Sequence, residues 1–248
     1  MSRDEYHQPF SATPAEEQSS DASRSPKREV RSYVLRGGRM TRAQQRGLDE
    51  VFPRLGLTLA RGMIDPERVF GRRAPLVVEI GFGMGGSLLE QARTHPQTDF
   101  IGIEVHPPGV GKLLDEADKA GLDNLRVYRE DALAVLDEAL PAGSVDTLQL
   151  FFPDPWPKKK HHKRRIVQPA FLERVHRVLQ PNGRLHMATD WENYAEHMVE
   201  VMSTTPGFVN TAVAGDYVPR PDFRPLTKFE TRGERLGHGV WDLIYRRT

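Results

Sequence analysis

Between positions 76 and 189 short apolar runs alternate with helical stretches, and few architectures accommodate that rhythm. The runs at 76–80, 100–105, 125–128, 145–152 and 184–189 read as strands, with a last strand at 240–245. Helices are predicted over 87–94, 110–120, 132–140, 169–179 and 194–202. Pro169 opens the fourth of them at its first turn, and Pro181-Asn182-Gly183 closes it. Strands and helices that alternate through short loops build a mostly parallel sheet with helices on both faces. No internal repeat interrupts the pattern.

Ligands of such a sheet bind at the carboxyl ends of its strands. The first strand runs into Glu79-Ile80-Gly81-Phe82-Gly83-Met84-Gly85-Gly86. Glycines there let the backbone turn tightly and approach a ligand closely. The spacing of Gly81, Gly83 and Gly86 satisfies the dinucleotide-binding pattern, as would a plain strand-to-helix turn. Glu104 ends the second strand, 23 residues after Gly81, where an acid can accept both hydroxyls of a ribose. Glu130-Asp131 follow the third strand, where an acid can face the exocyclic amine of an adenine. With Glu79, so many carboxylates around one turn would repel a pyrophosphate. They favour a positively charged cofactor such as the sulfonium of S-adenosyl-L-methionine.

The fourth strand leads into Phe152-Pro153-Asp154-Pro155-Trp156-Pro157. Alternate prolines stiffen the backbone and forbid helix, so an acid and an aromatic are held at the active edge. Trp156 reads either as a stacking surface for a planar base or as a packed core aromatic. Directly after it, six of the eight residues from 158 to 165 are Lys or Arg, and no acid interrupts them. Such a run is either a solvated face or, abutting a site, a phosphate-binding one. His161 and His162 are adjacent and point apart, and no His-x-x-x-His pair exists, so a metal site is not expected. No Gly-x-Ser-x-Gly elbow and no Gly-x-x-x-x-Gly-Lys-Ser/Thr loop occurs.

Composition narrows the remaining classes. The 248 residues contain no cysteine, which excludes a disulfide framework, thiolate catalysis and Cys-ligated zinc. No apolar run approaches the ~20 residues of a membrane helix, and residues 1–10 lack the apolar core of a signal peptide. A soluble cytoplasmic protein is the expectation. Residues 1–29, rich in Ser, Pro, Glu and Asp, are expected to be a disordered tail. From 24 to 46 there are eight Lys or Arg against the single acid Glu29, reading as a solvated linker or as an arm that finds phosphates.

Four stretches together resemble the bacterial tRNA (guanine-N7)-methyltransferases. They are Arg31-Ser32-Tyr33-Val34 with Gly38-Arg39-Met40-Thr41, and Glu79-Ile80-Gly81-Phe82-Gly83 with Gly102-Ile103-Glu104-Val105-His106. The third is Phe152-Pro153-Asp154-Pro155-Trp156 with Lys158 and the basic run. The fourth is Thr227-Lys228-Phe229-Glu230-Thr231-Arg232-Gly233-Glu234-Arg235-Leu236-Gly237-His238. The resemblance covers 31–246, and Asp190-Trp191 also fits it. It departs from the family at Glu130, where a His is expected, and at Pro107.

The resemblance implies a Rossmann-like class I S-adenosylmethionine-dependent methyltransferase with a mostly parallel seven-stranded sheet. One domain would span 30–248, with 30–60 forming an RNA-contacting arm. Glu79, Gly81, Gly83, Glu104, Asp131 and Asp154 would bind the cofactor, and Asp154 would be the active-site acid. Lys158, Asp190, Thr227, Lys228, Phe229 and Glu230 would contact the target nucleotide. Lys160, His161, His162, Lys163, Arg164 and Arg165 would touch RNA. The implied reaction methylates N7 of guanosine 46 in the variable loop of tRNA, by a monomer or homodimer with no metal, no membrane and no obligatory protein partner. An NAD-dependent oxidoreductase leaves the Pro-Asp-Pro-Trp segment and the basic run without a use. A non-catalytic RNA-binding module leaves Asp154, Glu104 and the glycine loop without one.

Overall fold

The computed structural model describes residues 32–33, 39–222, 224–225, 230 and 239–248. The expected tail over 1–29 and Thr227, Lys228 and Phe229 lie outside the described residues.

The strands are β1 (Gly56–Leu57), β2 (Leu76–Ile80), β3 (Asp99–Ile103), β4 (Leu125–Tyr128), β5 (Val145–Phe151), β6 (Leu179–Thr189), β7 (Phe208–Asn210) and β8 (Trp241–Arg247). They form one sheet in the order β1-β4-β3-β2-β5-β6-β8-β7. The pairings from β1 to β6 are parallel, and β8 is antiparallel to both β6 and β7. The sheet has eight strands where seven were expected, because the two-residue β1 adds an edge next to β4. The helices are α1 (Arg42–Arg46), α2 (Phe52–Leu55), α3 (Pro66–Phe70), α4 (Gly86–Thr94), α5 (Pro107–Lys119), α6 (Ala132–Glu138), α7 (Pro169–Val178) and α8 (Glu192–Thr204).

Alternation along the strands separates two cores. On β2 and β3, Leu76, Val78, Ile80, Ile101 and Ile103 join the core with α6, α7 and α8. Val77 and Phe100 face the other way, toward Leu88 of α4 and Leu113 of α5. From β2 the chain winds outward through β3 to β4, then returns to place β5 on the opposite side of β2. That reversal opens a crevice at the carboxyl ends of β2 and β5.

Two details depart from the sequence reading. The turn expected at Pro181-Asn182-Gly183 lies inside β6, where the β5 register jumps from Val145↔Leu179 to Thr147↔Arg184. Asn182 there takes a left-handed φ of 66°, and Gln180 Nε2 donates to Asp146 Oδ1 at 2.5 Å. The first helical segment was not foreseen. It runs from α1 through a π-helical turn (Gly47–Val51) into α2 and crosses α5 very closely. A Cβ on Gly47 would lie 1.9 Å from Gly111 O, and one on Gly111 would lie 2.1 Å from Gln44 O. Arg46 pairs with Asp115 and Asp118 of α5, and Arg54 also pairs with Asp118. Arg46 is therefore spent on holding the arm down and is not the phosphate ligand its place in a basic run suggested.

Candidate active site

The crevice holds a cavity of about 230 Å³ at the ends of β2, β3, β4 and β5. Gly81, Glu104, Glu130, Asp131 and Asp154 line it, and Ser32 and Tyr33 close one side. Gly81 and Asp154, 73 positions apart in the chain, thus meet at one cavity.

The glycine loop is shaped by backbone conformation. Gly81 and Gly83 have φ of 73° and 58°, a region costly for any side chain. Gly81 N–H donates to Ile103 O at 2.8 Å, which ties the loop to the end of β3. Glu104 is fixed by three amides. Gly83 N–H donates to its Oε2 at 2.9 Å, while those of Val105 and His106 donate to Oε1 at 2.7 and 2.9 Å. Glu79 sits behind the cavity, one residue before the end of β2, and is 3 % exposed. Its Oε2 has no hydrogen-bond partner among the described residues. Burial, and then the nearby Glu104 carboxylate, push its pKa up to about 8.

Of the two acids after β4, Asp131 has the defined role. Its Oδ1 accepts from the N–H groups of Leu133 at 2.8 Å and Ala134 at 3.4 Å, capping α6. Glu130 stands beside it on the cavity wall. Pro107, unusual for the resemblance, is the first residue of α5, where proline is well suited to start a helix.

The Pro-Asp-Pro-Trp segment is strained at both ends, with φ of 51° at Phe152 and 47° at Trp156. Asp154, between them, is exposed at the cavity. Trp156 is neither buried in a core nor presented as a clear stacking face. Its Nε1–H donates to Ser32 O at 3.2 Å, the Arg164 guanidinium lies 3.8 Å from the ring centroid, and His161 meets it edge-on at 6.0 Å. The indole staples the basic turn to the start of the arm.

The basic run forms a 3-10 turn (Lys159–Arg164), on which Lys160 and Lys163 are exposed, as is Lys158 just before it. His161 is half-buried. Burial, with Lys160, Arg164, Lys158 and Lys163 around it, lowers its pKa, so it adds no cation to the patch. His162 turns its Nε2 inward, where it is buried. Arg165 corrects the sequence expectation. It is 2 % exposed, donating from Nε to Pro155 O at 2.9 Å and from Nη2 to Asn193 Oδ1 at 2.8 Å, over the Tyr194 ring. It fastens the proline segment to α8 and does not reach RNA.

Asp190 follows β6, whose end lies next to that of β5: Phe151 pairs with Ala188, and Phe152 N–H donates to Ala188 O at 2.8 Å. Asp154 and Asp190 thus leave neighbouring strands at the same edge. Glu230, expected at the nucleotide, lies inside the protein. It is 2 % exposed, and both its oxygens accept from Arg224, at 2.7 Å from Nη1 and 2.5 Å from Nη2. Arg224 escaped sequence reasoning, as did its second partner Asp242. The available signal was an acid set in the apolar run Trp241-Asp242-Leu243-Ile244-Tyr245 of the last strand.

The donor set suits a cationic, adenosine-bearing ligand. A carboxylate oriented by amides and another at a helix cap line the cavity, and an orphaned buried carboxyl oxygen belongs to Glu79, next to the lining residue Ile80. Among the described residues no cluster of three or more His, Asp or Glu could hold a metal, and no helix is long and apolar enough to cross a membrane.

Known proteins agree with this geometry. Solved structures with a similar fold include the aminoglycoside resistance methyltransferase NpmB1 (TM-score 0.53, 17% identity, covering 77% of this chain and 94% of that one). A 16S rRNA methyltransferase, KamB, is also similar (TM-score 0.55, 16% identity, covering 75% and 94%). These show the fold to be that of class I S-adenosylmethionine-dependent methyltransferases. A family model described as "Putative methyltransferase" matches residues 73–243. A tRNA (guanine-N(7)-)-methyltransferase of Chromohalobacter salexigens is 73% identical over 224 residues, covering 90% of this chain and 91% of its own. One of Saccharophagus degradans is 57% identical over 222 residues, covering 90% and 97%. With a family model matched over residues 73–243 and relatives of this identity covering 90% of it, the chain belongs to the tRNA (guanine-N(7)-)-methyltransferase family.

Proposed function

We propose that this protein transfers the methyl group of S-adenosyl-L-methionine to N7 of guanosine 46 in the variable loop of tRNA. One observation carries the reading: a carboxylate-lined cavity at the switch point opens beside an exposed basic turn. A cationic cofactor and a polyanionic substrate are thereby received side by side. Residues 30–248 would act as one methyltransferase domain, with residues 30–60 an arm against RNA and residues 1–29 a tail outside it.

When bound, the cofactor supplies a methyl group made electrophilic by its sulfonium charge. Glu79, its pKa raised to about 8 by burial and by Glu104, ionises as the cation binds and then supplies negative charge near the sulfonium. Glu104, already oriented by three amides, keeps acceptor capacity on Oε2 for a ribose hydroxyl. Asp131 faces the adenine amine while capping α6. Guanine N7 carries an in-plane lone pair, so no side chain has to remove a proton before transfer. The chain's main task is alignment, which can contribute ~7–11 kcal/mol in favourable cases. Positive charge moves onto the base as the methyl transfers. Asp154, fixed by flanking prolines, matches that transition state better than the neutral base. Asp190 accepts from the guanine N1 or N2 hydrogens, a pairing adenine cannot reproduce. Lys158, Lys160 and Lys163 meet phosphates and set tRNA orientation.

The test is methyl transfer from radiolabelled S-adenosyl-L-methionine to purified tRNA. It compares the natural molecule with one carrying adenosine at position 46 and maps the product by cleavage at 7-methylguanosine. Label confined to guanosine 46 is the expected result. Label on both tRNAs, or cofactor binding with no transfer, refutes the assignment.

A further inference from the structure

We propose that Arg224 is a positioning residue for the target nucleotide, setting the substrate side of the cavity through Glu230 and through Phe151 and Phe152. The proposal rests on the methyl-transfer reading above.

Arg224 is completely buried, between Pro221 and Pro225 in sequence, and its N–H closes a turn on Pro221 O at 3.0 Å. Four hydrogen bonds leave its guanidinium. Nε and Nη2 donate to the two oxygens of Asp242 at 2.7 and 2.8 Å, and Nη1 and Nη2 to the two oxygens of Glu230 at 2.7 and 2.5 Å. Two parallel forks on one cation fix distance and direction together, which a lysine point charge cannot do. Asp242 also meets His186 Nε2 at 2.8 Å, and its position on β8 pairs with Ala188 of β6, two residues before Asp190. The Asp242 anchor therefore belongs to the sheet itself.

What the anchor holds is the substrate side. Arg224 lies 5.8 Å from the ring centroids of both Phe151 and Phe152, which line the cavity and lead into Pro153-Asp154. Phe152 has the left-handed φ of 51°, a conformation that surrounding structure must enforce. Both oxygens of Glu230, one of the six residues expected at the nucleotide, accept from Arg224, so the guanidinium holds this carboxylate. One cation thus packs against the two rings that lead into Asp154 and holds the Glu230 carboxylate. None of these contacts reaches Glu79, Glu104 or Asp131. A defect in Arg224 should therefore fall far more heavily on tRNA than on the cofactor.

The experiment uses the full chain with Arg224→Lys, which keeps the charge and loses the double fork. S-adenosylhomocysteine affinity is measured by calorimetry, melting temperature by scanning, and kcat/KM for tRNA by methyl transfer. The expected result is a loss of at least tenfold in kcat/KM for tRNA, with S-adenosylhomocysteine Kd within twofold of the natural protein. A tRNA kcat/KM within twofold of normal overturns the proposal. So does a parallel loss of cofactor affinity and tRNA activity, the pattern of a merely structural residue. Should Arg224→Lys fail to fold, Asp242→Asn, which keeps the side-chain size and weakens the other fork, is held to the same split and the same overturning results. A natural protein that binds S-adenosylhomocysteine but methylates no tRNA would defeat the methyl-transfer reading itself, whereas a failed split in an active enzyme defeats only this proposal.

Discussion

The two halves of the cavity are organised by different means. On the β2-β3-β4 side, positions are set by backbone: left-handed glycines, three amides on Glu104 and a helix cap at Asp131. On the β5-β6-β8 side they are set by side-chain donors: Arg165 on Pro155 and Asn193, Trp156 on Ser32, Arg224 on Glu230 and Asp242. A backbone-built site is formed by local folding and tolerates change around it. A site built from buried side-chain donors is weakened when one goes, because its partner is left unsatisfied, most of all in the Arg224 ion pairs. The first half suits a small ligand of fixed shape, the second a large one that must be oriented.

The sharpest way to break this contrast is at Asp154, which stands where the halves meet. Asp154→Asn is expected to lower kcat for tRNA methylation by about 100-fold, the usual scale for removing one preorganised electrostatic group. S-adenosylhomocysteine affinity should change far less. Near-normal turnover would remove the electrostatic role.

A smaller effect sharpens the backbone-built half. Glu79 has a folded-state pKa of about 8, against 4.5 for an unperturbed carboxyl. A carboxyl raised on folding keeps its proton while the unfolded chain ionises, so stability falls as pH climbs from about 4.5 to about 8 and is level above that. A cationic ligand favours the ionised form. Affinity for S-adenosyl-L-methionine should therefore rise about tenfold between pH 7 and pH 9, following the ionised fraction. Glu79→Gln should flatten both profiles. Calorimetric titration across that range checks the first and urea unfolding the second. A rise in affinity that survives Glu79→Gln assigns the proton elsewhere.

The smallest effect separates two residue types inside the basic run. Removing Lys160 or Lys163 is expected to reduce the slope of log affinity against log salt by about 0.7–0.9, which is about threefold in tRNA affinity between 50 and 200 mM salt. Arg165→Gln should leave that slope unchanged. It should instead lower the melting temperature, since Pro155 O and Asn193 lose buried donors at ~1–3 kcal/mol each. Filter binding over a salt series distinguishes the two, and a slope that changes with Arg165 would return that residue to the interface.

The same division explains what the sequence made legible. Gly81, Gly83, Glu104 and Asp131 were reached because each follows a strand of recognisable period, and strand ends converge in a parallel sheet. The Pro-Asp-Pro-Trp segment announced its stiffness, but not that Trp156 would turn to Ser32. Arg165 looked like its neighbours because charge patterning records residue type and not direction. The 3-10 turn points Lys160 and Lys163 outward and delivers Arg165 to α8. Glu230 and Arg224 are six positions apart, yet their pairing depends on Asp242 beneath them, which no local pattern shows. β1, β7 and α1–α3 were missed because each is five residues or shorter, too brief for a period to register.

The crossing of Gly47 and Gly111 has a consequence for descent. A methyl group on either glycine collides with main-chain oxygen, not with a side chain that a second substitution could shrink. No pairwise exchange of side chains can relieve the clash, so drift is closed at both positions. The docking of the arm on α5 is thus brittle to mutation in a way the salt bridges around it are not. A lineage that abandoned it would have to move the helix in a single step.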